Sequence, residues 1–119
     1  MIDHLELRTL SVAESVRFYS DVLEPLGYRL AVDGTAKGFG TATTLDFFIA
    51  EGQPSANVHF AFAAPDRATI DRIYRAAGGQ GHALDRPPAL APHIHPHYYA
   101  AYLRDPDGHL VEFVCQKPE

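Results

Sequence analysis

Two histidines and two carboxylates stand at corresponding places in two similar halves of the sequence. The first half opens with His4 in the strand-like run HLEL, and the second opens with His59 in HFAF. Each half closes on a strand-like segment that carries a carboxylate, Asp46 in the first and Glu112 in the second. Imidazole nitrogens and carboxylate oxygens bind divalent metal ions. Two copies of one small unit would therefore offer the ligands for a metal site.

A further group of histidines lies in residues 93–99, which read HIHPHYY. In an extended segment alternate residues share one face, so three imidazoles would lie side by side. Histidine titrates near neutral pH and suits general acid/base catalysis. We predict that this segment overhangs a cleft and supplies catalytic groups, with His93, His95 and Tyr98 as candidates. The alternatives are a proline-stiffened loop that covers a sheet edge and an adventitious nickel or zinc site.

The composition indicates one globular domain, residues 1–119. Hydrophobic residues make up 46% of the chain and charged residues 21%, which suits a packed core and argues against disorder. The net charge of −5 disfavours a nucleic-acid partner. No apolar stretch approaches the ~18 residues that span a bilayer, so we expect no membrane partner.

The cysteine content points to a reducing compartment. Cys115 is the only cysteine, so an internal disulfide is excluded. The first residues do not show the basic segment followed by an apolar segment that is typical of a secretory signal. We therefore expect a cytoplasmic protein.

The first half predicts the order β-α-β-β-β. Polar and apolar residues alternate over residues 2–9, which is typical of a strand with one buried face. Ser11 is a plausible helix N-cap, with Glu14 at the spacing of a capping box, and Pro25 should end the helix. The later strands are predicted over residues 28–32, 35–43 (a weak strand or loop) and 45–50.

The second half predicts the same order. Asp66 is a good N-cap for a helix that stops at Gly78-Gly79. Residues 86–96 contain four prolines, so we predict an extended loop there. The strands of this half are predicted over residues 58–63, 82–85, 98–104 and 110–116. The short linker between the halves gives a first module of about residues 1–52 and a second of about residues 57–119.

These features resemble the vicinal oxygen chelate superfamily, which includes glyoxalase I, extradiol dioxygenases, and fosfomycin and bleomycin resistance proteins. The residues that carry the resemblance are His4, Phe18-Tyr19, Val22-Leu23, Leu26-Gly27, His59, the DPDG turn at 105–108 and Val111-Glu112. The resemblance covers essentially the whole chain. It implies an α+β fold in which two βαβββ modules form a curled mixed sheet around a cleft, with the helices outside. It also implies a homodimer, because two chains of this family often pair or exchange modules.

The resemblance also implies a ligand set. In that family the metal ligands come from the first and last strands of each module, which carries over to His4, His59 and Glu112. The fourth equivalent position falls at or near Asp46, to within about two residues. Two imidazoles and one carboxylate leave coordination positions open for substrate. They suit zinc, nickel, manganese or iron without selecting one.

Two functions are compatible with this pattern, and the residues alone leave enzymatic activity undecided. The first is a metal-dependent enzyme, with lyase, isomerase or oxygenase chemistry on a small molecule that chelates through adjacent oxygens. The alternative is a metal-free protein that binds a small ligand or sequesters a drug, as bleomycin resistance proteins do. Phenylalanines in the strands would then line the ligand site: Phe47, Phe60, Phe62 and Phe113.

Overall fold

The computed structural model describes residues 1–119 and shows an α+β protein made of two repeated βαβββ modules. The chain divides into two compact units, Met1–Ala56 and Asn57–Glu119. Each unit contains one α-helix and one four-stranded mixed sheet. The predicted fold class is therefore confirmed. The two helices have 12 and 13 residues, and no helix in the structure has the length and apolar character needed to cross a bilayer.

The first module follows the capping and breaking signals in its sequence. Ser11 is extended and its side chain accepts a hydrogen bond from the Glu14 amide, which starts the helix. Pro25 lies in a short 3-10 turn that ends it, and Gly27 closes the turn at φ 80°. The elements are β1 (Leu5–Thr9), α1 (Val12–Leu23), β2 (Arg29–Asp33), β3 (Lys37–Gly40) and β4 (Leu45–Glu51). The sheet order is β1-β4-β3-β2, with β1 parallel to β4.

Aromatic side chains form the core of the first module. Tyr19 of α1 is fully buried, and its ring centroid lies 4.7 Å from that of Phe47 in β4. Ile49 is also buried and lies on the same side of β4, because side chains alternate along a strand. Phe48 points to the other side of the sheet, which α1 does not cover.

The second module repeats this arrangement. Asp66 caps its helix, with Oδ1 accepting a 2.7 Å hydrogen bond from the Thr69 amide. The elements are β5 (His59–Ala63), α2 (Arg67–Gly79), β6 (Ala83–Leu90), β7 (Tyr99–Arg104) and β8 (Leu110–Cys115). The sheet order is β5-β8-β7-β6, with β5 parallel to β8.

The phenylalanines of the second module lie on the core side of its sheet. Phe113 is fully buried and stacks on Phe62, with 5.8 Å between ring centroids. Phe60 pairs with Val111, which is also fully buried, so it shares that side. Glu112 lies between Val111 and Phe113 in β8 and therefore points the opposite way. These phenylalanines do not line the face that carries the carboxylate.

One segment predicted as a loop is a strand. Residues 86–96 were expected to form an extended loop, but β6 continues through Pro87 and Pro88 to Leu90. A proline lacks the amide hydrogen that a central strand needs, yet β6 lies at the edge of the sheet, where this loss is tolerated. The pairing with β7 shifts between Arg86 and Ala89, which is where the prolines lie.

The turn between β3 and β4 requires glycine at position 40. A Cβ atom on Gly40 would lie 2.0 Å from the carbonyl oxygen of Thr44, which is backbone and cannot move aside cheaply. We expect Gly40→Ala to lower the free energy of unfolding by about 2 kcal/mol or more, measured by urea denaturation. The control is Gly79→Ala at the exposed end of α2, where an added Cβ meets nothing within 4 Å. That variant should be neutral or slightly stabilised. Equal losses in both variants would contradict the steric account.

Candidate functional site

The second module holds a carboxylate in the middle of its sheet. The Glu112 side chain in β8 is only 3% exposed. Its cross-strand neighbours are Tyr102 in β7 and Ala61 in β5, so the three side chains share the face opposite the helix. A buried carboxylate needs hydrogen-bond donors or a cation to replace its hydration. The neighbours on this face must supply them.

A histidine and two tyrosines surround that carboxylate. His59 lies two residues before Ala61 on the same strand face, and its Nε2 is 2.8 Å from Glu112 Oε1. The Tyr98 hydroxyl donates to the other oxygen, Oε2. Tyr102, the cross-strand partner of Glu112 in β7, lies beside this carboxylate on the same face. The structure thus brings together three of the residues predicted from sequence: His59, Tyr98 and Glu112.

The tyrosines in this cluster are donors. Burial raises the pKa of Tyr98 far above its ordinary value, and its hydrogen bond to Glu112 raises it further. Burial and the charge of Glu112 likewise raise the pKa of Tyr102. Both hydroxyls therefore keep their protons at neutral pH. Neither can act as a general base there, and the Tyr98 hydroxyl holds the carboxylate in place.

The contact between His59 and Glu112 fits a divalent metal site. An ionised carboxylate only accepts hydrogen bonds, so without metal His59 Nε2 carries the proton between them. A metal ion would take the place of that proton and bind both atoms. Ligand bonds to zinc are roughly 2.0–2.2 Å, which puts neighbouring ligand atoms of a tetrahedral site roughly 3.4 Å apart. The observed 2.8 Å is a hydrogen-bond length, so the two side chains would have to separate slightly to bind an ion, and Tyr98 would keep the second oxygen oriented.

His4 belongs to the first module and lies one residue before β1. Its side chain is 56% exposed, and Nδ1 is 2.8 Å from a carboxylate oxygen of Asp3. Its ring meets the ring of Phe48 edge to face, with 5.7 Å between centroids. An exposed imidazole with one nitrogen held by a carboxylate is a suitable metal ligand.

The position in the first module that corresponds to Glu112 is Phe48, not Asp46. Glu112 pairs with Ala61, two residues after His59, whereas Phe48 pairs with Glu6, two residues after His4. The fourth candidate ligand position, which the sequence placed at or near Asp46, is therefore Phe48, two residues further along β4. A phenyl ring cannot bind a metal ion. The first module offers no carboxylate at this place.

Asp46 has another role. It lies in β4 at a register shift, because Phe39 pairs with Phe47 and Gly40 with Leu45. Such a bulge redirects the side chain of the extra residue. Both carboxylate oxygens of Asp46 accept a hydrogen bond from the Tyr28 hydroxyl, at 2.8 and 3.0 Å.

The histidine-rich segment contributes unequally. His95 lies in the loop between β6 and β7, where its Nδ1 accepts from the His97 amide at 3.2 Å and its ring contacts the ring of His97. His93 is exposed and borders a cavity of about 290 Å³ that Tyr102 and Arg86 also line. Of the three catalytic candidates, only Tyr98 contacts Glu112.

Sequence reasoning missed two residues on this face. Arg86, Tyr102 and Glu112 are successive cross-strand partners and form a row across β6, β7 and β8. The guanidinium carbon of Arg86 lies 3.8 Å from the centroid of the Tyr102 ring. Alternation along β7 puts Tyr98 and Tyr102 on one side and could have identified Tyr102. Arg86 carried no such signal, because its segment was predicted to be a loop.

A second cluster of ligand-type groups lies in the turn before β8. Single ligand atoms of Asp105, Asp107 and His109 fall within 4.8 Å of one another. Asp105 Oδ1 accepts from the backbone amides of Asp107 and His109, and Oδ2 lies 2.7 Å from His109 Nδ1. These bonds fix the buried turn that leads into β8. Both oxygens of Asp105 already have partners within the turn.

Comparisons with known proteins agree with this fold. A family model described as the Glyoxalase/Bleomycin resistance protein/Dioxygenase superfamily matches residues 1–113. The structure resembles a glyoxalase/bleomycin resistance protein from Albidiferax ferrireducens T118, with a TM-score of 0.81, 24% identity and 99% of each chain covered. No curated protein sequence matches the chain.

Two further solved structures share the fold. One is the fosfomycin resistance protein FosX from Mesorhizobium loti, with a TM-score of 0.74, 22% identity, and 98% of this chain and 92% of that chain covered. The other is a lactoylglutathione lyase from Agrobacterium tumefaciens, with a TM-score of 0.70, 22% identity, and coverage of 96% and 92%. At these identities the likeness concerns the fold. The two proteins are named for different activities, so the fold alone selects neither.

The Tyr28–Asp46 pair gives a pH-dependent prediction. Burial, the hydrogen bond to Asp46 and its charge raise the pKa of Tyr28 to about 12, whereas an unfolded tyrosine titrates near ~10. The unfolded chain therefore ionises first, and the stability that this group contributes is lost as pH rises from 10 to 12. We expect Tyr28→Phe to be less stable than the natural chain by about 1 kcal/mol at pH 8. The difference should shrink above pH 10, measured by urea denaturation. A difference that stays constant up to pH 12 would contradict this role.

Proposed function

The chain belongs to the glyoxalase/bleomycin resistance protein/dioxygenase superfamily, and from that premise we propose that it is a metal-dependent enzyme acting on a small molecule. The substrate would chelate the metal through two adjacent oxygens, and the reaction would be of the lyase/isomerase or the oxygenase type. The observation that supports this most is the contact between His59 and the buried carboxylate of Glu112.

The proposed protein ligands are His59, Glu112 and His4. The first two already lie at hydrogen-bond distance on one strand face. His4 is proposed because it stands just before the first strand of its module, as His59 opens the first strand of the other. Phe48 replaces the carboxylate in the first module, so the proposed set has three protein ligands. That set leaves coordination positions for substrate.

The surrounding residues would position these ligands and the substrate. A bound divalent ion, whether zinc, nickel, manganese or iron, would supply Lewis-acid polarisation of the substrate oxygens. Tyr98 is a positioning residue, because its protonated hydroxyl fixes the second oxygen of Glu112. His93, at the edge of the adjoining cavity, is the proposed proton carrier. His95 is proposed as a second proton carrier because it lies in the same histidine-rich loop.

A metal-free binding function is the alternative. The donors around Glu112, His59 and Tyr98, give each carboxylate oxygen a hydrogen bond without an ion. The cavity beside Tyr102 would then bind a small ligand or drug without chemistry, as in the bleomycin resistance proteins. The two functions differ in whether a metal ion displaces the proton from His59.

The proposal includes two statements about setting. We propose a homodimer, following the pairing that is frequent in this superfamily, which light scattering of the purified protein would test. A reducing, cytoplasmic environment is proposed because the only cysteine, Cys115, is buried.

Metal titration of untagged protein tests the proposed function. We expect one ion per chain, with affinity reduced at least a hundredfold in His59→Ala and Glu112→Gln, because each removes a ligand. Tyr98→Phe should lose about tenfold, the usual cost of removing a group that orients a ligand. Binding through Nε2 should move the imidazole proton of His59 to Nδ1, which the ring-nitrogen chemical shifts of the metal-bound protein would report.

The control variant is His97→Ala, which disturbs the histidine-rich loop but none of the proposed ligands. It should keep the tight site and lose only weak, additional binding. Absence of stoichiometric metal, or a site that is lost in His97→Ala and kept in His59→Ala, would remove the enzyme proposal in favour of the metal-free alternative.

A further inference from the structure

We propose that the cavity beside Tyr102 binds the anionic end of the substrate, with Arg86 as the partner of the negative charge. This inference rests on the proposed function, because it assigns a substrate class to that same site. The substrate would be a small organic anion. It would carry chelating oxygens at one end, a carboxylate or phosphonate at the other end, and an apolar body between them.

The cavity has the size and lining for a small apolar body. Its volume of about 290 Å³ lies just below the range found for ligand pockets, roughly 300–1,000 Å³, and suits a small molecule. Ala89 and Ala100, which are cross-strand partners in β6 and β7, line it. Their methyl groups leave the space open, and the exposed side chains of Leu90 and Ile94 border it.

The irregular pairing of β6 creates this space. Arg86 pairs with Tyr102 and Ala89 with Ala100, so three steps along β6 match two along β7. Cross-strand partners share a face, and the extra residue at the two prolines therefore leaves Arg86 and Ala89 on the same side of the sheet. A regular strand would have placed them on opposite faces.

The charge at one end of the cavity favours an anion. Asp85 is shared between two guanidinium groups, since its oxygens lie 3.1 Å from Nε of Arg86 and 3.1 Å from Nε of Arg104. One carboxylate for two guanidiniums leaves one positive charge in excess, on a chain whose net charge is −5. The Arg86 guanidinium is also held over the Tyr102 ring, so it loses little freedom when an anion binds.

The spacing of the strands sets the length of the substrate. Arg86 and Glu112 flank Tyr102 on either side, two strand spacings apart. Neighbouring strands lie about 4.8 Å apart, so the two positions are separated by roughly 10 Å. A molecule that reaches from the proposed metal ligands to Arg86 needs an apolar spacer of that order between its two polar ends.

Nuclear magnetic resonance titration of the full chain, kept metal-free with a chelator, tests this inference. The probes are 3-phenylpropanoate, 2-phenylethylphosphonate and the neutral analogue 3-phenylpropanamide. We expect the anions to shift the amide signals of Ala89, Ala100 and Tyr102, and to bind about five- to tenfold more tightly than the amide. The anion that binds more tightly identifies the preferred headgroup, carboxylate or phosphonate.

Three variants assign the contacts. Arg86→Gln should remove the preference for anions while leaving amide binding in place. Ala89→Leu, at an exposed strand position, should fill the cavity and weaken all three probes. Arg75→Gln on the exposed face of α2 is the matched charge control and should bind all probes as the natural chain does. Unchanged thermal unfolding of each variant confirms that the fold is retained.

The outcomes separate this inference from the proposed function. Equal affinity for the amide and the anions, signal shifts elsewhere, or an Arg86→Gln variant that behaves as the natural chain would overturn it, whatever the metal titration gives. Anion binding at these residues in a protein that binds no metal would support the anion site and remove the enzyme proposal alone.

Discussion

A carboxylate placed among apolar residues in the middle of a sheet must be compensated, and Glu112 is compensated without lysine or arginine. His59 Nε2 lies at hydrogen-bond distance from one of its oxygens, and the Tyr98 hydroxyl donates to the other. Without these donors, burying the charge would cost several kcal/mol. The face of the second module is therefore organised around this group: the start of β5, the end of the histidine-rich loop and the middle of β7 all supply contacts to it.

The two modules share a backbone plan and differ in chemistry. Each has a histidine at or just before its first strand, and that strand runs parallel to the last strand of the module. The residue of the last strand that pairs two positions after the histidine is Glu112 in the second module and Phe48 in the first. The first module places its carboxylate, Asp46, in a bulge where Tyr28 binds it. A repeated unit can thus keep its fold while one copy carries the polar cluster. The other copy contributes at most a single imidazole to the proposed ligand set.

Most of the fold could be predicted from local signals, because each acts within a few residues. Ser11 and Asp66 cap their helices, Pro25 and Gly27 end the first one, and strand alternation sets the buried faces. The edge strand through Pro87 could not be predicted, since a proline pair reads as a loop unless the strand is known to lie at a sheet edge. The position of the fourth candidate ligand depends on strand register. That register is the pairing of β1 with β4, which are distant in the sequence, and it leaves no local mark there.

The most direct measurement of the central claim is a map of anomalous scattering from crystals grown with a divalent transition metal. The account predicts one strong peak bonded to His59 Nε2 and to Glu112 Oε1, with Tyr98 still on the other oxygen and His4 as the remaining protein ligand. A peak only in the loop at His97 or in the turn at Asp105 would contradict it. So would a map in which the hydrogen bond between His59 and Glu112 persists with no metal beside it.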